Sequence, residues 1–285
     1  MTDPEKPRFE RQDPPEIAAL KRVKHDQPTL ATAVEMQIDI VTLQRRIRSR
    51  LSTPWITHEP EWIAARLAAG TPLLRFDDVT FDWMELRLLF RQMADVLARY
   101  DTLEPADHKT LLALARDSHP TADEVRSWFD ARADRAMADW SCPHGTMFPQ
   151  VLDLSARPFI ERAAESVRAG ADVTAWNRPY CPFCGADPEM ASLTLDGGRR
   201  LHCGGCAAAW PFEAGTCPAC GDASPRQQLS YASQGSPYRL LACNVCRRYL
   251  KAADMRYLDR PIMLSVDSIA TLPLDAAAIQ RGYVG

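Results

Sequence analysis

Eight of the nine cysteines in this 285-residue chain form four Cys-x-x-Cys pairs within residues 181–246. Intervals of 18, 10 and 22 residues separate the pairs, which are Cys181/Cys184, Cys203/Cys206, Cys217/Cys220 and Cys243/Cys246. A Cys-x-x-Cys turn presents two thiolates to one metal ion, and eight thiolates supply two tetrahedral four-cysteine sites. The sequence therefore predicts two bound metal ions, with all eight of these cysteines as ligands.

The cysteine-rich segment repeats internally. Tyr-Cys-Pro-Phe-Cys-Gly at 180–185 returns as Thr-Cys-Pro-Ala-Cys-Gly at 216–221, and Leu-His-Cys-Gly-Gly-Cys at 201–206 returns as Leu-Ala-Cys-Asn-Val-Cys at 241–246. Each half reads as a cysteine knuckle, a hairpin and a second knuckle, with short strands expected at 193–195, 200–202 and 238–242. This is the layout of a rubredoxin-like or zinc-ribbon unit. The simplest ligand pairing is sequential, and an interleaved pairing stays open.

The sulfur ligands narrow the choice of metal to two elements but do not decide between them. Soft thiolates select zinc or iron over magnesium, calcium or manganese. Zinc in a closed four-thiolate site is structural, whereas iron in the same cage is redox-active, and ligand spacing does not separate the two. A purely structural role therefore stays open. A thioredoxin-like dithiol at Cys181 and Cys184 would need a βαβ context, which the preceding helical pattern does not favour.

Apolar residues recur with a helical period from residue 29 to about 170. The clearest stripe is Leu86, Leu89, Phe90, Met93, Val96 and Leu97, with Asp82 as its N-cap. Further helices are expected around Met36–Ile47, around Trp62–Leu67, after Pro105, after the capping box of Thr121 and Glu124, and over Pro158–Ala169. The predicted fold class is α+β multidomain, an N-terminal helical bundle followed by two tandem rubredoxin-like or zinc-ribbon units. We expect a disordered tail over 1–28, the helical domain over 29–170, a linker over 171–180 and the metal-binding domain over 181–285.

Composition limits the partners. The net charge is −3, and residues 181–285 carry ten Lys and Arg against nine Asp and Glu, so no nucleic acid is expected as a partner. No apolar run approaches the roughly 20 residues of a membrane span, so no membrane insertion is expected, and no secretory signal is visible. These features predict a cytoplasmic protein, in which Cys-x-x-Cys pairs are more often metal ligands than disulfides.

A few residues outside the cysteine pairs could take part in a site. Cys142 and His144 resemble a ligand pair but lack a second pair nearby, which favours an incidental free cysteine. His202 could support a neighbouring cysteine sulfur, and Trp210 could pack over a metal site. A basic patch is conceivable at Arg199, Arg200, Arg247, Arg248 and Lys251, although ordinary solvated charge is the simpler interpretation.

No Walker, G-x-S-x-G or H-E-x-x-H motif is present, so the chain is not expected to be an enzyme.

The residues around the knuckles resemble the formate dehydrogenase accessory protein family, FdhE. The resemblance rests on Pro-Tyr-Cys-Pro-Phe-Cys-Gly at 179–185, on Leu-His-Cys-Gly-Gly-Cys-Ala-Ala-Ala-Trp at 201–210, on the two later knuckles, and on Val-Asp-Ser-Ile-Ala-Thr-Leu-Pro-Leu-Asp at 266–275. It covers about residues 179–285, and the helical part matches in length and character only. The family usually has an acidic residue where Ala209 stands.

The resemblance implies a specific role. Proteins of this family are cytoplasmic accessory factors required for active respiratory formate dehydrogenase, whose catalytic subunit they contact before its export, and they carry rubredoxin-type iron at the cysteine motifs. It therefore implies a maturation factor or chaperone that is not an enzyme, with the eight cysteines as metal ligands and the catalytic subunit of formate dehydrogenase as partner. Two alternatives remain open: a zinc-ribbon protein that binds nucleic acid or another protein, and a redox enzyme of the rubredoxin or dithiol type.

Overall fold

The structure, a computed structural model, describes residues 12–54, 56–232 and 235–285. Within these ranges seven helices come first, a six-stranded mixed sheet follows, and two short helices come last. The helices are α1 Pro15–Asp26, α2 Ala31–Arg48, α3 Pro60–Ala69, α4 Trp83–Arg99, α5 Pro105–Arg116, α6 Ala122–Ala133, α7 Met147–Arg168, α8 Leu264–Ala270 and α9 Leu272–Gln280. The strands are β1 Pro188–Leu193, β2 Arg199–Cys203, β3 Ala209–Pro211, β4 Gln228–Ala232, β5 Tyr238–Cys243 and β6 Tyr249–Asp254. The predicted fold class is confirmed.

Helix α4 forms where the sequence pattern predicts it. The Asp82 carboxylate accepts hydrogen bonds from the backbone N–H groups of Met84 and Glu85, both at 3.0 Å, and so caps two free donors of the first turn. The whole predicted apolar stripe of this helix is buried. Among the described residues, no helix combines the length and the apolar character that crossing a bilayer requires.

Helix α1 occupies part of the segment expected to be a tail. Residues 1–11 of that expectation lie outside the described residues, but Pro15–Asp26 is helical. Pro15 suits the first turn, and Ala19 and Leu20 are buried against α2 and Val266 of α8. The tail prediction is wrong for this stretch because part of its apolar partner, Val266, lies about 250 residues away in sequence, where local composition gives no sign of it.

Helix α7 begins at Met147, eleven residues before the predicted start at Pro158. Proline lacks an N–H, so inside a helix it leaves the carbonyl four residues earlier without its donor. Here that carbonyl belongs to Leu154, and the side-chain amide of Gln44 in α2 donates to it at 2.8 Å. The neighbouring helix therefore supplies the missing donor, and the apolar face of α7 continues through Pro158.

The cysteine-rich half forms one sheet in the order β3-β2-β1-β6-β5-β4. Each repeat is a three-stranded antiparallel meander, β1-β2-β3 and β4-β5-β6. The two meanders join where β1 runs parallel to β6, with Met190 beside Lys251 and Leu193 beside Asp254. The internal repeat seen in the sequence therefore folds as two ribbons that share a continuous sheet.

The helical half and the first ribbon share a buried core. Four of the ligand-type cysteines and Trp210 belong to the same buried cluster as the aromatic residues of α4, α6 and α7. The backbone N–H groups of Leu73 and Leu74 donate to the carbonyls of Pro182 and Phe183, each at 2.8 Å. The first knuckle is therefore hydrogen-bonded directly to the helical half.

Candidate metal centres

The structure groups the eight cysteines sequentially. Site 1 contains Cys181, Cys184, Cys203 and Cys206, and site 2 contains Cys217, Cys220, Cys243 and Cys246; within each site the sulfurs lie within 4.8 Å of one another. Two sulfur pairs in site 1 are 3.4 and 3.5 Å apart, and two pairs in site 2 are each 3.7 Å apart. A disulfide would require about 2.05 Å. Sulfurs bound at about 2.3 Å to one tetrahedral ion lie roughly 3.8 Å apart, so both cages have the dimensions of a four-thiolate metal site.

All four knuckles share one backbone turn. The residue directly after each second cysteine has a positive φ: Gly185 at 75°, Ala207 at 55°, Gly221 at 76° and Arg247 at 58°. This left-handed turn lets the N–H of that residue in three of the knuckles, at Gly185, Ala207 and Gly221, donate to the carbonyl of the first cysteine, at 2.9 to 3.1 Å. The two glycines avoid the steric cost that the left-handed region imposes on a side chain.

Backbone amides point at the sulfurs of site 1. The N–H of Phe183 donates to Cys181 Sγ at 3.4 Å, and the N–H groups of Gly205 and Cys206 donate to Cys203 Sγ at 3.3 and 3.4 Å. Such bonds orient thiolates and offset part of their negative charge. Burial raises the pKa of the Cys181 thiol, so ionisation of this sulfur in the core requires a compensating cation.

Arg132, from α6 of the helical half, lies against site 1. Its guanidinium packs over the Trp128 ring at 4.2 Å, and its Nη2 donates to Asp153. Its Nη1 is buried without a hydrogen-bond partner among the described residues, and a Cβ added to Gly205 in the second knuckle would lie 2.8 Å from that atom. Sequence inspection missed this residue, since nothing near it in the chain signals a contact with a knuckle more than fifty residues later.

The electrostatics of Arg132 fit a thiolate cage. Burial acts to lower the pKa of the guanidinium, but Asp153 and the sulfurs of Cys184 and Cys203 outweigh it and raise the pKa. Four thiolates around one divalent ion carry a net negative charge, which is costly in a buried place unless a cation lies beside it. The buried cation with a free N–H therefore fits site 1 as a metal centre.

Site 2 is the more accessible cage. All four cysteines of site 1 are fully buried, whereas Cys220 is exposed and Cys246 is half-buried. Burial raises the pKa of Cys217 to about 12. Burial acts in the same sense on Cys243, but hydrogen bonds from the backbone of Cys246 and from the Gln228 side chain, at 3.3 Å, outweigh it and lower its pKa to about 7.

Arg199 lies beside the chain segment that leads into site 2. It is buried, and its Nη2 donates to the carbonyls of Glu213 and Thr216, just before Cys217. Its guanidinium carbon lies 5.0 Å from the centroid of the Phe212 ring. Burial is the main reason that its pKa falls to about 10. Arg199 lies on β2 of the first repeat, so an arginine of the first ribbon contacts the chain directly before the first knuckle of the second.

Neither His202 nor Trp210 hydrogen-bonds a cysteine sulfur in the described part of the chain. His202 Nε2 bonds the Ser192 hydroxyl at 2.8 Å, and the indole N–H of the buried Trp210 donates to the carbonyl of Arg178 at 2.9 Å. The five basic residues considered as a possible patch do not form one surface, because Arg199 is buried and Lys251 pairs with Asp275 at 2.7 Å.

The chain has named relatives over a little more than a third of its length. No family model matches the chain. It is 29% identical over 106 residues to a protein named FdhE homolog from Erwinia tasmaniensis, and 29% identical over 109 residues to another from Enterobacter. These matches cover 37% of the chain and 34 to 35% of the relatives, so the alignment spans about a third of each relative. The fold matches the crystal structure of the FdhE protein from Pseudomonas aeruginosa with a TM-score of 0.62 and 19% identity, covering 94% of this chain and 91% of the other.

Proposed function

We propose that this chain, whose sequence matches and shared fold support membership of the FdhE family, is an accessory factor for the maturation of formate dehydrogenase. In this role it binds the catalytic subunit of that enzyme in the cytoplasm, and it is not itself an enzyme. The observation that carries the proposal is a pair of four-sulfur cages set in a fold shared with FdhE over 94% of the chain.

The two cages suit different tasks in this role. Site 1 lies in the common core, with Arg132 and the backbone of Leu73 and Leu74 fixed against it, so an ion there joins the helical half to the sheet. Site 2 has Cys220 at the surface, so an ion there is within reach of a bound client. Iron supplies one-electron chemistry in such a cage, and zinc supplies only a cross-link. We assign client contact to site 2 and scaffolding to site 1.

Capture of the client tests this function. The tagged full-length chain is purified anaerobically from cells that make respiratory formate dehydrogenase, and both the catalytic subunit and the metal in the eluate are quantified. Cys220→Ser removes an exposed sulfur of site 2, and Cys142→Ser, which changes a cysteine outside both cages, is the matched control. We expect the wild type and C142S to retain the catalytic subunit and C220S to lose most of it.

The outcomes separate the parts of the proposal. Failure of the wild type to capture the catalytic subunit contradicts the accessory role. Equal capture by C220S and C142S contradicts the assignment of client contact to site 2 and leaves the accessory role standing. A chain that holds only zinc and lacks the visible thiolate-to-iron absorption contradicts a redox role for the metal.

A further inference from the structure

Three ligand-type side chains meet at the start of α6, in the helical half and away from both cysteine sites. His119 follows α5, Glu124 lies in the first turn of α6, and His144 precedes α7. Each side chain offers one ligand atom, and the three atoms lie within 4.8 Å of one another. Sequence inspection paired His144 with Cys142 and assigned Glu124 to helix capping, so the convergence of all three was missed.

The two imidazoles approach the same carboxylate from different sides. His119 Nδ1 lies 2.8 Å from Glu124 Oε2, and His144 Nε2 lies 2.5 Å from Glu124 Oε1. The two rings meet edge to face with centroids 4.8 Å apart. Two histidines and one carboxylate form the donor set that binds zinc or non-haem iron in proteins and leaves positions open for water or another ligand.

The surroundings hold this donor set in place. The backbone N–H of Thr121 donates to Glu124 Oε2 at 2.7 Å, which fixes the carboxylate, and the His144 ring packs against Phe148 at 4.9 Å. A ligand that is itself hydrogen-bonded to the protein is oriented for the metal. The three side chains are each about one-fifth exposed, so an ion and its water have access.

We propose that His119, Glu124 and His144 form a third metal site, which binds one divalent transition ion of the zinc type with water completing its coordination. Bonds of 2.0–2.1 Å place tetrahedral ligand atoms roughly 3.3 Å apart. The carboxylate therefore has to withdraw by about half an ångström from the ring nitrogens, and any pair of ligand atoms as far apart as 4.8 Å has to close by roughly 1.5 Å. The ion clamps the segment after α5, the start of α6 and the loop before α7 together. This site is independent of the cysteine cages and of any client.

Metal stoichiometry tests the third site. The full-length chain is prepared with zinc in both cysteine cages, dialysed to equilibrium against micromolar free Zn²⁺, and analysed for zinc per chain. The variants are His119→Gln and His144→Gln. His108→Gln is the matched control, since His108 also bonds a carboxylate, Asp95 at 2.9 Å, outside any three-ligand group among the described residues.

The wild type and H108Q are expected to hold three zinc ions per chain, and H119Q and H144Q two. The third ion is expected to bind at least tenfold more weakly in either variant. Cobalt substitution adds a second readout, because the intense thiolate-to-cobalt absorption of the cages stays unchanged in H119Q and H144Q if the variants keep their fold. Two zinc ions per chain in the wild type overturns the proposal, and so does an unchanged third ion in H119Q and H144Q.

Discussion

Gly185 and Gly221 occupy equivalent positions, directly after the second cysteine of the first knuckle in each ribbon. Their φ angles are nearly equal, 75° and 76°. Their surroundings differ, because a Cβ at Gly185 would lie 2.8 Å from Ala133 Cα and 3.0 Å from the Arg132 carbonyl oxygen, whereas a Cβ at Gly221 would meet nothing within 4 Å. Gly185→Ala and Gly221→Ala therefore form a matched pair that isolates the contact between the first knuckle and α6.

The expected magnitudes follow from these contacts. Placing an alanine in the left-handed region costs about 1–2 kcal/mol at either glycine. At Gly185 the obstructing atoms belong to the backbone of α6 and cannot rotate away, so overpacking adds about 1–3 kcal/mol. We expect G221A to lower the free energy of unfolding by about 1–2 kcal/mol and G185A by about 2–5 kcal/mol.

Thermal melting of the zinc-loaded proteins measures the difference. A chain of this size loses about 2 °C of melting temperature per kcal/mol, so G185A is expected to melt several degrees below G221A. Metal analysis after mild heating checks where the damage lies, since G185A is expected to release zinc from site 1 first. Equal melting temperatures for the two variants, or a larger loss in G221A, would refute a tight junction between site 1 and α6.

Three further predictions concern the buried arginines, the access of a chelator to the metal sites, and a buried carboxylate. Arg132→Met is expected to weaken metal binding at site 1 about tenfold or more while sparing site 2, and Arg199→Met is expected to weaken site 2 and spare site 1. A chelator titration of each variant measures these affinities, and equal effects on both sites would contradict the pairing of each arginine with its cage. In the wild type, a chelator is expected to remove the metal ion of site 2 quickly, because Cys220 is exposed, and the ion of the buried site 1 slowly. A single release phase for both ions would contradict an effect of burial on metal release. Asp254, 1% exposed and bonded to Arg239 and Arg256, has its pKa lowered below 3.8 chiefly by the Arg256 hydrogen bonds, so its stabilisation is complete above about pH 5 and is lost as the pH falls further. Asp254→Asn is expected to lower the free energy of unfolding by about 2 kcal/mol at pH 7 and to show a flatter acid limb in urea unfolding. An acid limb as steep as that of the wild type would contradict this.

The local parts of the fold were predictable because local residues determine them. The Asp82 cap, the stripe of α4 and the Thr121–Glu124 capping box all depend on residues within a turn or two of one another, and all three form. The existence of two four-cysteine cages was equally accessible, and the sequential grouping that the structure shows was the simpler of the two pairings left open, since a Cys-x-x-Cys knuckle and a hairpin bring the sulfurs together without help from distant residues.

The missed features depend on distant partners. Helix α7 continues through Pro158 only because Gln44 satisfies the orphaned carbonyl. Arg132 reaches site 1, and His119 meets His144, only after α6 and α7 have packed, and no spacing in the chain signals such contacts. The parallel pairing of β1 with β6 likewise joins strands more than fifty residues apart.

Formate dehydrogenase activity in cells that lack this chain tests the account most directly. The measurement is formate oxidation by membranes of the deletion strain, of the same strain carrying the wild-type gene, and of the parent, with the amount of catalytic subunit measured alongside. We predict that activity is lost while the catalytic polypeptide is still made, and that the wild-type gene restores it. Undiminished formate oxidation in the deletion strain would contradict the proposed role in maturation.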